Sequence, residues 1–271
     1  MRTFGYLVVE GPHDVEFCYR LLSGYGLHRV RLLSELDVAL QPLVPRNFPH
    51  NGDLQKRVPV PLFLQNDHHG IAIDSAGGDS RLVPSLQETL ATVDQATFVG
   101  MGLMLDSDKN QSTADRYAAL RKQVDASTSL VLPVHAGNIS SGPPRLGAYV
   151  LPDNVNPGTL EDLLLDSAAT QYSALLPAAT RYVDDTLAGH YIPRDHCDEI
   201  MKPAGRNKAV IGAMSALFKP GKAVQMSIQD NDWLRGAALA LPRIQAVQDF
   251  LAELFELMPR GTHDARTHEP A

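Results

Sequence analysis

Apolar and polar positions alternate along this chain with two different periods, and the change from one period to the other marks its elements. Leu7 to Val9 form a short β-branched-rich run that Gly11-Pro12 stops. Val15, Cys18, Tyr19 and Leu22 then recur at i, i+3, i+4 and i+7, which predicts an amphipathic helix ended by Gly24 and Gly26. Strand, tight turn and helix make the first half of a βαβ unit. Ile71 to Ile73 predict a second strand, Gly77-Gly78 a turn, and Leu82 to Leu90 a helix with Pro84 in its first turn. Phe98 to Leu105 are nearly all apolar, as in a strand buried on both faces, and the run ends abruptly in Asp106-Ser107-Asp108. A helix over Thr113 to about Gln123 follows. The segment "LGAYVLPD" predicts a strand ending at Asp153, and a helix then carries Leu160, Leu163, Leu164 and Ser167 on one face.

The segment from about Gln41 to Gly70 departs from this alternation. Pro42, Pro45, Pro49, Pro59 and Pro61 argue against a long helix there. It reads as an irregular proline-rich insertion with an edge strand near Val58 to Leu64. Beyond residue 170 the pattern is helical: Gln171 to Leu187, Asn207 to Phe218, and Pro242 to Met258. The last of these carries a stripe of Ile244, Val247, Leu251, Leu254, Phe255 and Met258. The organisation expected is an α/β core over 1–170 with its insertion at 41–70, a helical extension over 171–258 packed on the core, and a disordered tail over 259–271. Alternating strands and helices imply a parallel sheet with right-handed crossovers, whose ligands bind at the carboxyl ends of the strands.

Composition narrows the function. The 271 residues are 44% hydrophobic and carry a net charge of -7, so nucleic-acid binding would need a local basic patch, a bound cation or a partner. Cys18 and Cys197 are far apart in sequence and form no CxxC pair, which fits a reducing cytoplasm. No stretch approaches the roughly 20 apolar residues of a membrane span, and the chain runs at once into strand-like sequence, so neither a span nor a signal peptide is expected.

The chemistry collects at the strand ends. Glu10 ends the first strand and Asp106 and Asp108 end the central one, while Asp153 ends a later strand and Glu161 and Asp162 lie in the helix after it. Carboxylates that converge repel one another unless a cation neutralises them or some take up protons. Hard oxygen ligands suit Mg²⁺, Mn²⁺ or Ca²⁺. A D-x-D pair presents both acids to one side only if strand geometry holds through Asp108. "DSDKN" also opens like a calcium loop, but the glycine and terminal glutamate of such a loop are absent. Asp14 is either a helix-start acid that favours the macrodipole or a neighbour of the metal. Asp162 completes a capping pattern with Thr159, whereas Glu161 points off the apolar face and is the better ligand. Lys208, with Arg206 nearby, opens a helix, where a cation opposes the dipole, and is the candidate for meeting a phosphate. His68 and His69, and His190, His196 and Cys197, form no recognised zinc set, and "PGKAV" lacks the P-loop frame.

"LVVEGPHD" followed by "GLMLDSDKN" resembles the Toprim domain of topoisomerases, bacterial primases and OLD-type nucleases, with Gly77-Gly78 where such proteins have a glycine-rich turn. "LPDNVNPGTLEDLLLD" and "NKAVIGAMSALFKPGKAVQMSI" resemble an uncharacterised bacterial Toprim-related family. The resemblance implies an α/β, parallel-stranded, Rossmann-like three-layer sheet with an added C-terminal helical region. It implies Mg²⁺ (or Mn²⁺) at Glu10, Asp106 and Asp108, with Glu10 in acid/base work; the reading of the residues adds Glu161 and Asp14 as further metal candidates and Lys208, or Arg206, as the catalytic cation that stabilises developing charge. No counterpart is seen of a primase's zinc- and helicase-binding parts, a topoisomerase's tyrosine-bearing domains or an OLD nuclease's fused ATPase. The expected activity is Mg²⁺-dependent phosphotransfer, as a cytoplasmic nuclease acting on DNA or RNA. The alternatives are a non-catalytic metal- and nucleotide-binding module working with a partner ATPase, and a primase-like nucleotidyl transferase. The partners allowed are DNA or RNA, that ATPase, and a second copy of the chain; no membrane is among them.

Overall fold

Why an apolar run such as Phe98 to Leu105 can persist without polar interruption is answered by its neighbours on both sides. In the computed structural model, which describes residues 2–46, 60–108 and 112–258, this run is β5 (Phe98–Asp106). It lies between β1 (Thr3–Val9) and β6 (Arg145–Leu151), parallel to both. β4 (His69–Ser75) pairs parallel with the other side of β1. Side chains of β1 alternate between two cores. Leu7 and Val9 enter one, Tyr6 and Val8 the other, and all are buried.

One core is covered by α2 (Leu82–Leu90) and α3 (Thr113–Ser127), through Leu82, Leu86, Tyr117, Leu120 and Val124. The opposite core is covered by α1 (Pro12–Ser23), α4 (Leu160–Gln171) and the later helices α5 (Leu175–Ala188), α6 (Gly205–Phe218), α7 (Val224–Asp230) and α8 (Pro242–Leu254). Three layers result, with the helices after residue 171 sharing one core with α1 and α4. The end of α8 comes so close to β5 that a Cβ on Gly100 would lie 2.2 Å from the Leu254 carbonyl oxygen. Glycine there is a requirement of packing.

The sheet is mixed, which corrects the parallel-stranded expectation. The strand order is β2-β3-β4-β1-β5-β6. β2 (His28–Arg29) and β3 (Leu62–Gln65) are antiparallel to their neighbours. The reason is local. Asn66 accepts through its side chain from the His68 and His69 amides, closing a tight hairpin between β3 and β4 that only antiparallel strands can use. β3 and the start of β4 fall within the 41–70 insertion, of which residues 47–59 lie outside the described residues.

Two boundaries also move. β6 ends at Leu151, two residues before Asp153, which instead accepts from the Val155 and Asn156 amides in a turn. α8 ends at Leu254, and Glu256 takes a left-handed backbone (φ 54°). That turn buries Leu257 and leaves Met258 79% exposed, so Met258 does not belong to the apolar stripe.

Candidate functional site: carboxylates at the strand ends

The register of the parallel strands sets the site. Val9 pairs with Met104, so Glu10, one residue on, and Asp106, two residues on, leave adjacent strands at the same sheet edge. The Asp106 amide donates to Glu10 Oε1 at 3.0 Å. Gly77 (φ 77°) and Gly78 (φ 133°) turn their amides onto the Glu10 carbonyl at 3.1 and 2.9 Å. The glycine turn therefore fixes the backbone of the first acid from one side, and β5 fixes its carboxylate from the other.

A third segment arrives through a serine. Ser107 is fully buried between the two aspartates, and its Oγ accepts from the Gly158 amide at 2.7 Å. Asp106 Oδ1 accepts from the Leu160 amide at 2.8 Å, at the first turn of α4. These contacts bring Glu161 to the cluster. Glu161 is 5% exposed, and its Oε2 has no hydrogen-bond partner among the described residues. Asp14, on the first turn of α1, accepts from the Gly11 amide at 2.9 Å and is 9% exposed.

The acids raise one another's proton affinity. Burial, then the Glu10 charge, lifts Asp14 from its ordinary 3.8 to about 7. Burial and the charges of Asp14, Glu10 and Glu161 raise Asp106. Burial raises Glu10, against the Asp106 amide and Arg116, which lower it. Asp108 stands apart. Strand geometry does not hold through it: its φ is 60°, its side chain is exposed, and it reaches the cluster through its charge on Glu10 and Arg116.

Some of the sequence candidates take other work. Asp162 closes the capping box with Thr159 and accepts from Asn207 Nδ2 at 2.9 Å, tying α6 to α4. Arg206 is held by Asp184 in a fork of two 2.8 Å bonds, away from the acids. Lys208 is exposed on α6, and its charge is felt by His13, whose ring lies between Lys208 and Glu161 in electrostatic terms and is shifted down chiefly by burial.

Sequence reasoning missed Arg116, Ser107 and His13. Arg116 donates to the Asp106 carbonyl (3.1 Å) and pairs with Glu10 (3.4 Å) and Asp79. It lies in the first turn of α3, where a cation opposes the dipole, the same signal that singled out Lys208.

The donor set is all oxygen, and the orphaned, buried Glu161 Oε2 is the kind of atom a hard cation satisfies. As they stand, no three His, Cys, Asp or Glu side chains among the described residues converge on one ion-sized point. An oxygen of Glu10, Asp14 and Asp106 each faces a backbone N–H instead. A cavity of about 370 Å³ lined by Tyr25, Asn66, His68, His69 and Leu257 lies at the amino ends of β1 and β4, the opposite edge from Glu10. No described helix is long and apolar enough to cross a membrane.

No curated protein matches the chain. A crystal structure of the hypothetical protein PH0156 from Pyrococcus horikoshii OT3 matches with 18% identity and a TM-score of 0.43, covering 96% of this chain and 97% of that one. The family model described as "Protein of unknown function (DUF3226)" matches residues 5–256, and the chain belongs to that family.

Proposed function

We propose that this protein is a Toprim-type, Mg²⁺- or Mn²⁺-dependent phosphotransfer protein that cleaves DNA or RNA phosphodiesters. One observation carries the reading. Glu10, Asp14, Asp106 and Glu161 come from three separate segments and are held together, half to fully buried, at the carboxyl edge of the sheet. A chain builds such a cluster against its own stability, and the orphaned Glu161 oxygen is a donor that a hard cation would satisfy. Glu10, Asp106 and Glu161 would hold the ion with Asp14 beside them, and the exposed Asp108 would join them only by turning its side chain toward the cluster; when bound the ion would supply charge neutralisation and a more acidic water. Binding would require the acids to exchange backbone donors for the cation.

The chain's own residues divide the remaining work. Glu10 is partly exposed and its proton affinity is raised, so its carboxylate suits accepting the proton of an attacking water. Arg116 and the Asp106 amide hold that carboxylate in place. Lys208, exposed on α6 with its charge reaching His13, would meet developing negative charge on the phosphate.

The test is incubation with plasmid, single-stranded DNA and RNA under Mg²⁺, Mn²⁺ or EDTA, beside Asp106→Ala. Metal-dependent cleavage lost in the variant is expected. No cleavage of any substrate, with metal binding intact, would overturn it. That outcome would favour a second reading, a non-catalytic metal- and nucleotide-binding module beside a separate ATPase. Product lengthening in nucleoside triphosphates would instead indicate a nucleotidyl transferase.

A further inference from the structure

The proposed function leaves one cation of the site with no task beyond steadying Glu10. Arg116 is 14% exposed and fixed from beneath: its Nε donates to the Asp106 carbonyl at 3.1 Å and its Nη2 faces Glu10 Oε1 at 3.4 Å. Its outer face is taken by Asp79. Nη1 meets Asp79 Oδ2 at 2.9 Å and Nη2 meets Oδ1, two parallel contacts in a fork. A guanidinium presents this same fork to two oxygens of a phosphate.

The two partners are unequally anchored. Arg116 is clamped between two strand ends. The Asp79 side chain is 52% exposed and follows Gly77 and Gly78, both at positive φ and both with open space where a Cβ would be. A half-exposed carboxylate on a glycine turn is easily displaced, because water compensates it once it leaves.

We propose that Arg116 is the substrate-phosphate ligand of this site and that Asp79 is its placeholder, displaced by two oxygens of the incoming phosphodiester. This rests on reading the site as one that takes phosphodiesters. It adds which residue grips the phosphate and which residue must leave.

The test reads binding, not turnover. A fluorescent single-stranded DNA 12-mer with phosphorothioate linkages is titrated by anisotropy, with EDTA and with Mg²⁺. The proteins compared are the parent, Asp79→Asn, Arg116→Lys, the double variant, and Asp125→Asn as a control that removes one exposed charge near the far end of α3. Asp79→Asn should bind about two- to fivefold tighter, the value of an exposed ion pair. Arg116→Lys should bind about tenfold more weakly, having lost the fork. The Asp79→Asn gain should vanish in the double variant, and Asp125→Asn should leave affinity unchanged. If Arg116→Lys does not fold, the contrast between Asp79→Asn and Asp125→Asn decides alone. The proposal is overturned if the Asp79→Asn gain survives without Arg116, equals that of Asp125→Asn, or is absent, or if no protein binds in either buffer. The coupling without any metal-dependent cleavage would sink the nuclease reading and leave the Arg116 site standing. Cleavage without the coupling would do the reverse.

Discussion

Asp14→Asn should make this protein more stable in alkaline solution, although it alters a buried helix-capping residue. Asp14 is 9% exposed, and burial together with the Glu10 charge raises its carboxyl from 3.8 to about 7. Between those values the folded chain holds a proton that the unfolded chain has released. The unfolded state thus binds fewer protons, and stability falls as pH rises through this window. The contribution is intact below the unfolded value and fully lost above about pH 7. A shift of roughly three units sets a ceiling of about 4 kcal/mol on that loss. The amide keeps an oxygen to accept from Gly11, now 2.9 Å away, so the cap survives. Its new N–H₂ group needs a partner, and its neighbour Asp106 ionises more easily, so the net gain expected is about 1–3 kcal/mol at pH 8.5. Urea denaturation in EDTA at pH 5, 7 and 8.5 reads this directly. The gain should shrink towards pH 5, and Mg²⁺ at pH 8.5 should narrow it by stabilising the parent more. A variant less stable than the parent at pH 8.5, or offset equally at every pH, would refute the reasoning.

Three further outcomes can be checked on the same purified protein. Glu161→Gln, which takes the charge off the orphaned buried Oε2, should at least halve the rise in Tm produced by Mg²⁺; an undiminished rise would remove Glu161 from the metal candidates. Gly100→Ala places a methyl 2.2 Å from the Leu254 carbonyl oxygen and should cost about 3 kcal/mol in urea denaturation, with less than about 1 kcal/mol contradicting the close approach of α8. Ser227→Ala deprives the buried Trp233 indole N–H of its acceptor, now at 2.9 Å, and should cost about 1–3 kcal/mol by the same assay, a neutral change arguing that the indole finds another partner.

The parts of the fold that were legible in the sequence are those where burial is two-sided or strongly periodic. β1 and β5 read as strands because both of their faces are covered, and α4 because Leu160, Leu163, Leu164 and Ser167 all enter one core or its buried margin. Short or paired elements left too little pattern. β2 has two residues, and α7 spans only Val224–Asp230, with Ser227 and Ile228 as its buried positions. The β3–β4 hairpin hides in turn-forming polar residues, so its antiparallel sense came from the Asn66 hydrogen bonds rather than from periodicity. Of the site, the acids were legible because a carboxylate at the end of an apolar strand is conspicuous. Arg116 was not, because its acidic partners Glu10 and Asp79 lie 106 and 37 residues away in sequence. Ser107 was passed over because its value is in an amide it accepts from, 51 residues on.

What holds four acids at one sheet edge is mostly backbone. Glu10 leans on the Asp106 amide, Asp106 on the Leu160 amide and Asp14 on the Gly11 amide, and the Gly77 and Gly78 amides secure the Glu10 main chain. These donors sit at strand ends and helix starts, where N–H groups are left over by the secondary structure itself. The sheet topology therefore supplies the positive ends that make the cluster tolerable without an equal number of side-chain cations. Among the described residues, Arg116 is the cation paired with an acid of the cluster, and Asp79 matches that charge from outside. Glu161 Oε2 is left over from this scheme. It sits beside Asp14 and Asp106, whose proton affinities its charge helps to raise, so a cation ligating it would relieve both costs at once.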